Sequence, residues 1–262
     1  MVIKNIITKN DIIKTLNSMG IGKGTMLYVE WLYNDNEYIS GREQTIIDAL
    51  KECLGKEGTL IMPTFSFECL HPVHNKEIIE RDNYENIKES MRGYDKKLTR
   101  SNVYERITNQ FLKNENVYRS DHPIYSFASW GKKAKEICEE HNYNFALSST
   151  SPLAKMCEEN CYALLMGVEL INSYSLYLSN YANKMIPIRL YNVGIHDKNK
   201  TLWKNILEIE FNNEYNDILK IMEERKTIYK YNFAGQEVLM YSIYEANKTC
   251  IEYFNSNYNA KL

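Results

Sequence analysis

Glu30 closes the apolar run Thr25-Met-Leu-Tyr-Val-Glu30. A carboxylate at the end of a buried strand can accept a proton near neutrality if burial raises its pKa; if it does not face a cleft, it is one more polar strand end. His122, in Arg119-Ser-Asp-His122-Pro123, is a second candidate base, since imidazole titrates closest to neutral pH. It fits equally well as a structural histidine holding the turn before Ser126. His71 and His74 stand three apart, but Pro72 argues against a helix and no third ligand is apparent. His141 and His196 read as surface residues. Cys53, Cys69, Cys138, Cys157, Cys161 and Cys250 form no C-x-x-C pair, so buried thiols are expected and no metal site. The chain has no phosphate loop, no G-x-G-x-x-G after a strand, no H-E-x-x-H and no G-x-S-x-G.

Such residues need a scaffold, and the composition supplies one. The chain has 262 residues, 44% apolar and 25% charged, which is ample for a packed core. A net charge of −2 gives no electrostatic reason to expect nucleic acid or an anionic membrane as partner. No apolar run approaches the length of a membrane span, and the N-terminal residues lack a signal peptide's apolar block, so a cytoplasmic protein is expected.

The periodicity alternates strands and helices. Thr8 and Asp11 cap an amphipathic helix, Gly20 to Gly24 turn the chain, and 25–30 form a buried strand. A helix over 45–54 stops at Gly55, and a strand over 59–62 ends at Pro63. Residues 68–100 read as a long irregular insert, mobile and on the acceptor side. Helices are expected over 102–112, 132–141, 214–226 and 243–256, and strands over 162–166, 185–193 and 237–242. No repeat or linker appears, so the expectation is a single α/β domain over 1–262, a three-layer α/β/α with a central mixed sheet.

Four stretches in register carry a resemblance. They are Gly20-Ile-Gly-Lys-Gly-Thr-Met-Leu-Tyr-Val-Glu-Trp-Leu32; Gln44 to Leu50 followed by Gly58-Thr-Leu-Ile-Met-Pro-Thr-Phe-Ser66; Arg119-Ser-Asp-His-Pro-Ile-Tyr-Ser126-Phe-Ala-Ser-Trp-Gly131; and Thr150-Ser-Pro-Leu-Ala-Lys155 with Ala163-Leu-Leu-Met-Gly-Val168. Together they resemble the antibiotic N-acetyltransferases, the aminoglycoside 3-N-acetyltransferase family. The resemblance covers about two thirds of the chain in order.

That family implies acyl transfer from acetyl-CoA, without a metal, to the amine of an aminoglycoside or amino sugar, and a link to antibiotic resistance. It implies a small-molecule amine as partner and allows a homodimer. It places His122, Glu30, Tyr177 and Asn180 at catalytic positions, and Trp31, Thr64, Ser66, Arg119, Ser120, Ser126 and Ser151 around CoA. The family's T-x-L-H-L-x-E segment falls on Tyr174-Ser-Leu-Tyr177-Leu-Ser-Asn180, so Tyr177 stands for the His and Asn180 for the Glu. A phenol with an ordinary pKa of ~10 is a poor base at neutral pH. Glu30 stands where the family has the His of V-H-S-S-L. Two readings follow: an acyltransferase with a relocated base, or a non-catalytic member acting as a binding or partner protein.

Overall fold

The computed structural model describes residues 6–33, 37–74, 79–211, 215 and 217–257. The chain opens with β1 (Ile6–Ile7) and α1 (Lys9–Ser18), whose N-terminus carries the Thr8/Asp11 capping box. Then come β2 (Met26–Trp31), β3 (Tyr38–Ile39), α2 (Arg42–Leu54) and β4 (Thr59–Pro63). Beyond α3 (Tyr84–Ser90) and α4 (Glu105–Phe111) lie β5 (Tyr118–Arg119), β6 (Phe127–Gly131), α5 (Ala134–Glu139), α6 (Pro152–Glu158) and β7 (Tyr162–Met166). A 3-10 segment over Tyr174–Ala182 leads to the hairpin β8 (Ile188–Asp197) and β9 (Lys200–Ile209). The chain continues through α7 (Ile218–Glu224), β10 (Ile228–Phe233), β11 (Gln236–Ser242) and α8 (Ile243–Asn257).

Seven strands form the central mixed sheet in the order β10-β11-β7-β2-β4-β6-β5. Its middle strands β7, β2 and β4 run parallel, and both flanks are antiparallel. Apolar residues on both faces of the middle strands bury them between helices, as parallel strands require. Leu27, Val29 and Trp31 point to one face, packed with α1, α2 and α4; Tyr28 and the region of α5, α6, α7 and α8 make up the other core. The result is the expected three-layer α/β/α.

Two described stretches of the insert expected over 68–100 pair with the β8 hairpin. Leu70 bridges Val193 and Tyr94 bridges Ile195, so the segment straps onto β8. Gly93 packs directly on the β8 backbone, where a Cβ would come within 2.5 Å of the Ile195 nitrogen. The strap was unreadable locally because its partner strand lies a hundred residues away. The expected strand over 185–193 is the first half of a longer hairpin, and β9 went unread. The first residues of the helix expected over 214–226 include positions outside the described ones; α7 itself begins at Ile218. All six cysteines are buried free thiols.

Candidate active site

Strand alternation puts Tyr28 and Glu30 on the same face of β2, beside the carboxyl ends of β4 and β7. Open parallel sheets commonly bind ligands at such strand ends, where the connections diverge to opposite sides. Glu30 is wholly buried. The Tyr28 hydroxyl donates to its Oε1 at 2.5 Å, the Tyr104 hydroxyl to Oε2 at 2.9 Å, and the Tyr174 backbone N–H to Oε1 at 2.9 Å. Burial raises its pKa to about 7, and these donors only partly oppose the rise. Among the described residues no Lys or Arg pairs with it. A carboxylate poised at neutrality is suited to general base chemistry.

The 3-10 segment next to it is pinned from α8. Asn247 accepts from the Ser179 N–H at 2.9 Å and donates to the Ser175 carbonyl at 2.8 Å. The hydroxyls of Ser173, Ser175 and Tyr241 form a closed cluster underneath. Tyr177 stacks on Phe211 with ring centroids 4.6 Å apart and meets Tyr174 edge-on at 5.3 Å. Asn180 is buried and its amide donates to the Tyr215 hydroxyl, which donates to the Leu176 carbonyl. Phe65 packs on Tyr174 and Tyr125, extending the aromatic wall past Glu30.

The other expected site residues lie elsewhere. Trp31 is buried on the opposite face of β2 from Glu30, in the core against α2. Arg119 is the centre of an internal knot: it donates to the Ser126 hydroxyl, the Thr99 and Thr64 carbonyls and the Ser66 hydroxyl. Thr64 bonds to Ser126, and the Ser120 hydroxyl accepts from the Phe127 N–H. Ser151 caps α6 by accepting from the Ala154 N–H. Thr64, Ser66, Arg119, Ser120, Ser126 and Ser151 are all buried. Apart from Ser151 at the start of α6, these side chains bond to one another and to the backbone at the ends of β4, β5 and β6.

His122 is likewise wholly buried. Its Nδ1 accepts from the Ile124 and Tyr125 N–H groups, which leaves Nε2 to donate to the Tyr143 carbonyl at 3.1 Å. Burial lowers its pKa to about 4, which favours the neutral ring, and its bonds tie the turn before Ser126. His141 is not a surface residue. It packs 4.8 Å from His122, with its ring nitrogens bonded to the Ser120 hydroxyl and the Ala146 carbonyl.

The residues that complete the site escaped the sequence reading. The pairing of Tyr28 with Glu30 was available in the period-2 pattern of β2. Tyr104 reaches Glu30 from 74 residues away, and no local signal announces that contact.

The family model described as aminoglycoside 3-N-acetyltransferase matches residues 33–255. The chain belongs to this family. By family it is therefore an acetyltransferase of the class that uses acetyl-CoA. The "SPbeta prophage-derived aminoglycoside N(3')-acetyltransferase-like protein YokD" of Bacillus subtilis (strain 168) is 27% identical, covering 95% of this chain and 93% of that one. The crystal structure of YokD matches with a TM-score of 0.88, covering 96% of this chain and all of the other. Aminoglycoside N(3)-acetyltransferase IX of Micromonospora chalcea is 24% identical over 78% of this chain and 73% of its own. The structure of AAC-IIIb with CoASH superimposes with a TM-score of 0.82 at 17% identity, covering 96% of this chain and 97% of that one, and so shares the fold. Within this acetyltransferase fold, Glu30 occupies the buried carboxylate position described above.

Proposed function

We propose that the protein transfers an acetyl group from acetyl-CoA to a primary amine of an amino sugar or aminoglycoside-like acceptor, with Glu30 taking the proton. The observation that carries this reading is the buried carboxylate at the end of β2, without a cationic partner among the described residues and with its pKa raised to about 7. An ammonium has no lone pair, so attack on a thioester requires that a proton leave the nitrogen. Tyr177 and Asn180 do not supply that acceptor: one is a stacked phenol, the other an amide bonded to Tyr215. Glu30 can.

The same two residues favour a second reading, in which the fold binds a ligand or partner without turnover. The deciding experiment offers acetyl-CoA with a panel of primary amines and follows release of the free CoA thiol. Transfer to at least one amine supports the enzyme. Absence of thioester cleavage with every amine, in protein that still binds CoA, supports the binding protein.

A further inference from the structure

Glu30 lies too deep to meet an acceptor amine itself, since it is wholly buried and the Tyr28, Tyr104 and Ser173 hydroxyls and the Tyr174 N–H surround its carboxylate. The groups facing it are Tyr28 from β2, Tyr104 from the start of α4, Ser173 and Tyr174 from the segment after β7, and Tyr241 from β11. None is a second carboxylate or a cation. A proton therefore reaches Glu30 through a hydroxyl. Tyr28, Ser173 and Tyr241 are wholly buried, and Tyr174 offers its backbone N–H. Tyr104 donates its hydroxyl directly to Oε2 and is only partly buried.

The backbone at Tyr104 supports a dedicated role. Its φ of 46° and ψ of 40° lie in the left-handed region, as the N-cap of α4 with no capping side-chain bond. A bulky residue there costs about 1–3 kcal/mol, and such strain clusters at functional sites. Its ring lies 6.1 Å from that of Tyr174, which leads on to Tyr177. Burial and the adjacent carboxylate raise the Tyr104 phenol far above its ordinary value, so it rests as a neutral hydroxyl and is not itself the base.

We propose that Tyr104 is a catalytic relay between the acceptor amine and Glu30. The proposal rests on the reading of Glu30 as base. The acceptor reacts as the neutral amine, its ammonium proton having gone to solvent; as its nitrogen forms the bond to the thioester carbonyl, the proton it then sheds passes to the Tyr104 oxygen while the Tyr104 hydrogen passes to Oε2 of Glu30. Collapse of the tetrahedral adduct breaks the C–S bond. The proton then returns along the same path to the departing CoA sulfur, which restores Tyr104 and Glu30.

The test measures transfer from acetyl-CoA to glucosamine and sisomicin, in wild type, Tyr104→Phe, Tyr28→Phe and Glu30→Gln. CoA-dependent melting serves as the folding control. Tyr104→Phe is expected to lower kcat by about a hundredfold or more, within the range for a lost acid–base path, with KM for acetyl-CoA within about twofold. Tyr28→Phe removes an equivalent bond from the buried side; it shifts the acid limb of the pH profile upward and keeps kcat at the plateau within about tenfold. Equal losses in the two phenylalanine variants would assign Tyr104 a supporting role only and overturn the relay. So would a fully active Tyr104→Phe beside an inactive Glu30→Gln, which leaves the base assignment standing. No transfer by wild type to either amine, or a fully active Glu30→Gln, overturns the base assignment and the relay with it.

Discussion

Glu30 and His122 illustrate how burial assigns opposite roles to two ionisable residues. Burial lifts Glu30 to about 7 and drops His122 to about 4, because in each case it disfavours the charged form. The consequences for stability have opposite signs. The native state holds the Glu30 proton to higher pH than the unfolded chain, whose carboxyl titrates near 4.5. Its contribution is therefore full below about 4.5 and is lost as pH rises through about 7, by roughly 3 kcal/mol across that window. Glu30→Gln should flatten this dependence, so that its melting temperature falls several degrees less than that of wild type between pH 4.5 and 8. Thermal melts across pH would show it, and parallel curves would count against the raised carboxyl. His122 behaves inversely: its contribution is present above about 6.5 and is lost as pH falls toward 4. His122→Ala strands two buried N–H groups and should cost about 2–4 kcal/mol in chemical denaturation, while acetyl transfer per folded molecule persists. A variant that folds as stably as wild type would contradict the turn-holding role.

At the scale of elements, a buried arginine ties the sheet ends together. Arg119 ties the end of β4 to β5, β6 and the Thr99 loop through four hydrogen bonds and has no carboxylate partner among the described residues. Arg119→Lys keeps the charge but loses the fork that reaches several acceptors at once. It should destabilise by about 3 kcal/mol or more, as breaking a buried charged network does, and denaturant titration would read the loss. Gly93→Ala forces a methyl into the β8 backbone; hydrogen exchange should then rise at Tyr94 and His196, whose N–H groups cross that seam. Unchanged protection there would mean the strap is not held by this contact. Restoring the family pair is informative at the same scale. Asn180→Glu buries a carboxylate against Tyr215, so the Tyr177→His, Asn180→Glu double variant should lose several kcal/mol even if it gains activity.

Over the whole molecule, the layers were legible because hydrophobic period is a local property. β2, β4, β7, α1, α2 and α8 fell close to where their spacing put them. The hairpin β8–β9 was half legible, since its outer residues Leu190 and Leu207 are exposed and break the expected alternation. The site was legible in part. Glu30 stood out as a candidate base and Tyr177 and Asn180 as candidate substitutions, but burial and hydrogen-bond satisfaction are properties of the fold. The internal bonds of Arg119, of His122 and of the serines beside them therefore had no signal in the sequence. Tyr104 could not be read at all, because its meaning depends on a contact across 74 residues. If the fold retains its donor site, acetyl-CoA at a hundred times its Kd should stabilise the protein by about 2.7 kcal/mol. A melting shift of several degrees would register it.

The proposed base is a buried glutamate in place of an imidazole. The most direct measurement is the pH dependence of kcat for acetyl transfer, using an acceptor amine whose own ionisation lies well away from neutrality. Wild type should gain rate as pH rises through about 7 and level off once Glu30 is ionised. Glu30→Gln should fall about a hundredfold or more at the plateau and lose that limb. A Glu30→Gln enzyme with wild-type turnover and an unchanged limb would contradict the account.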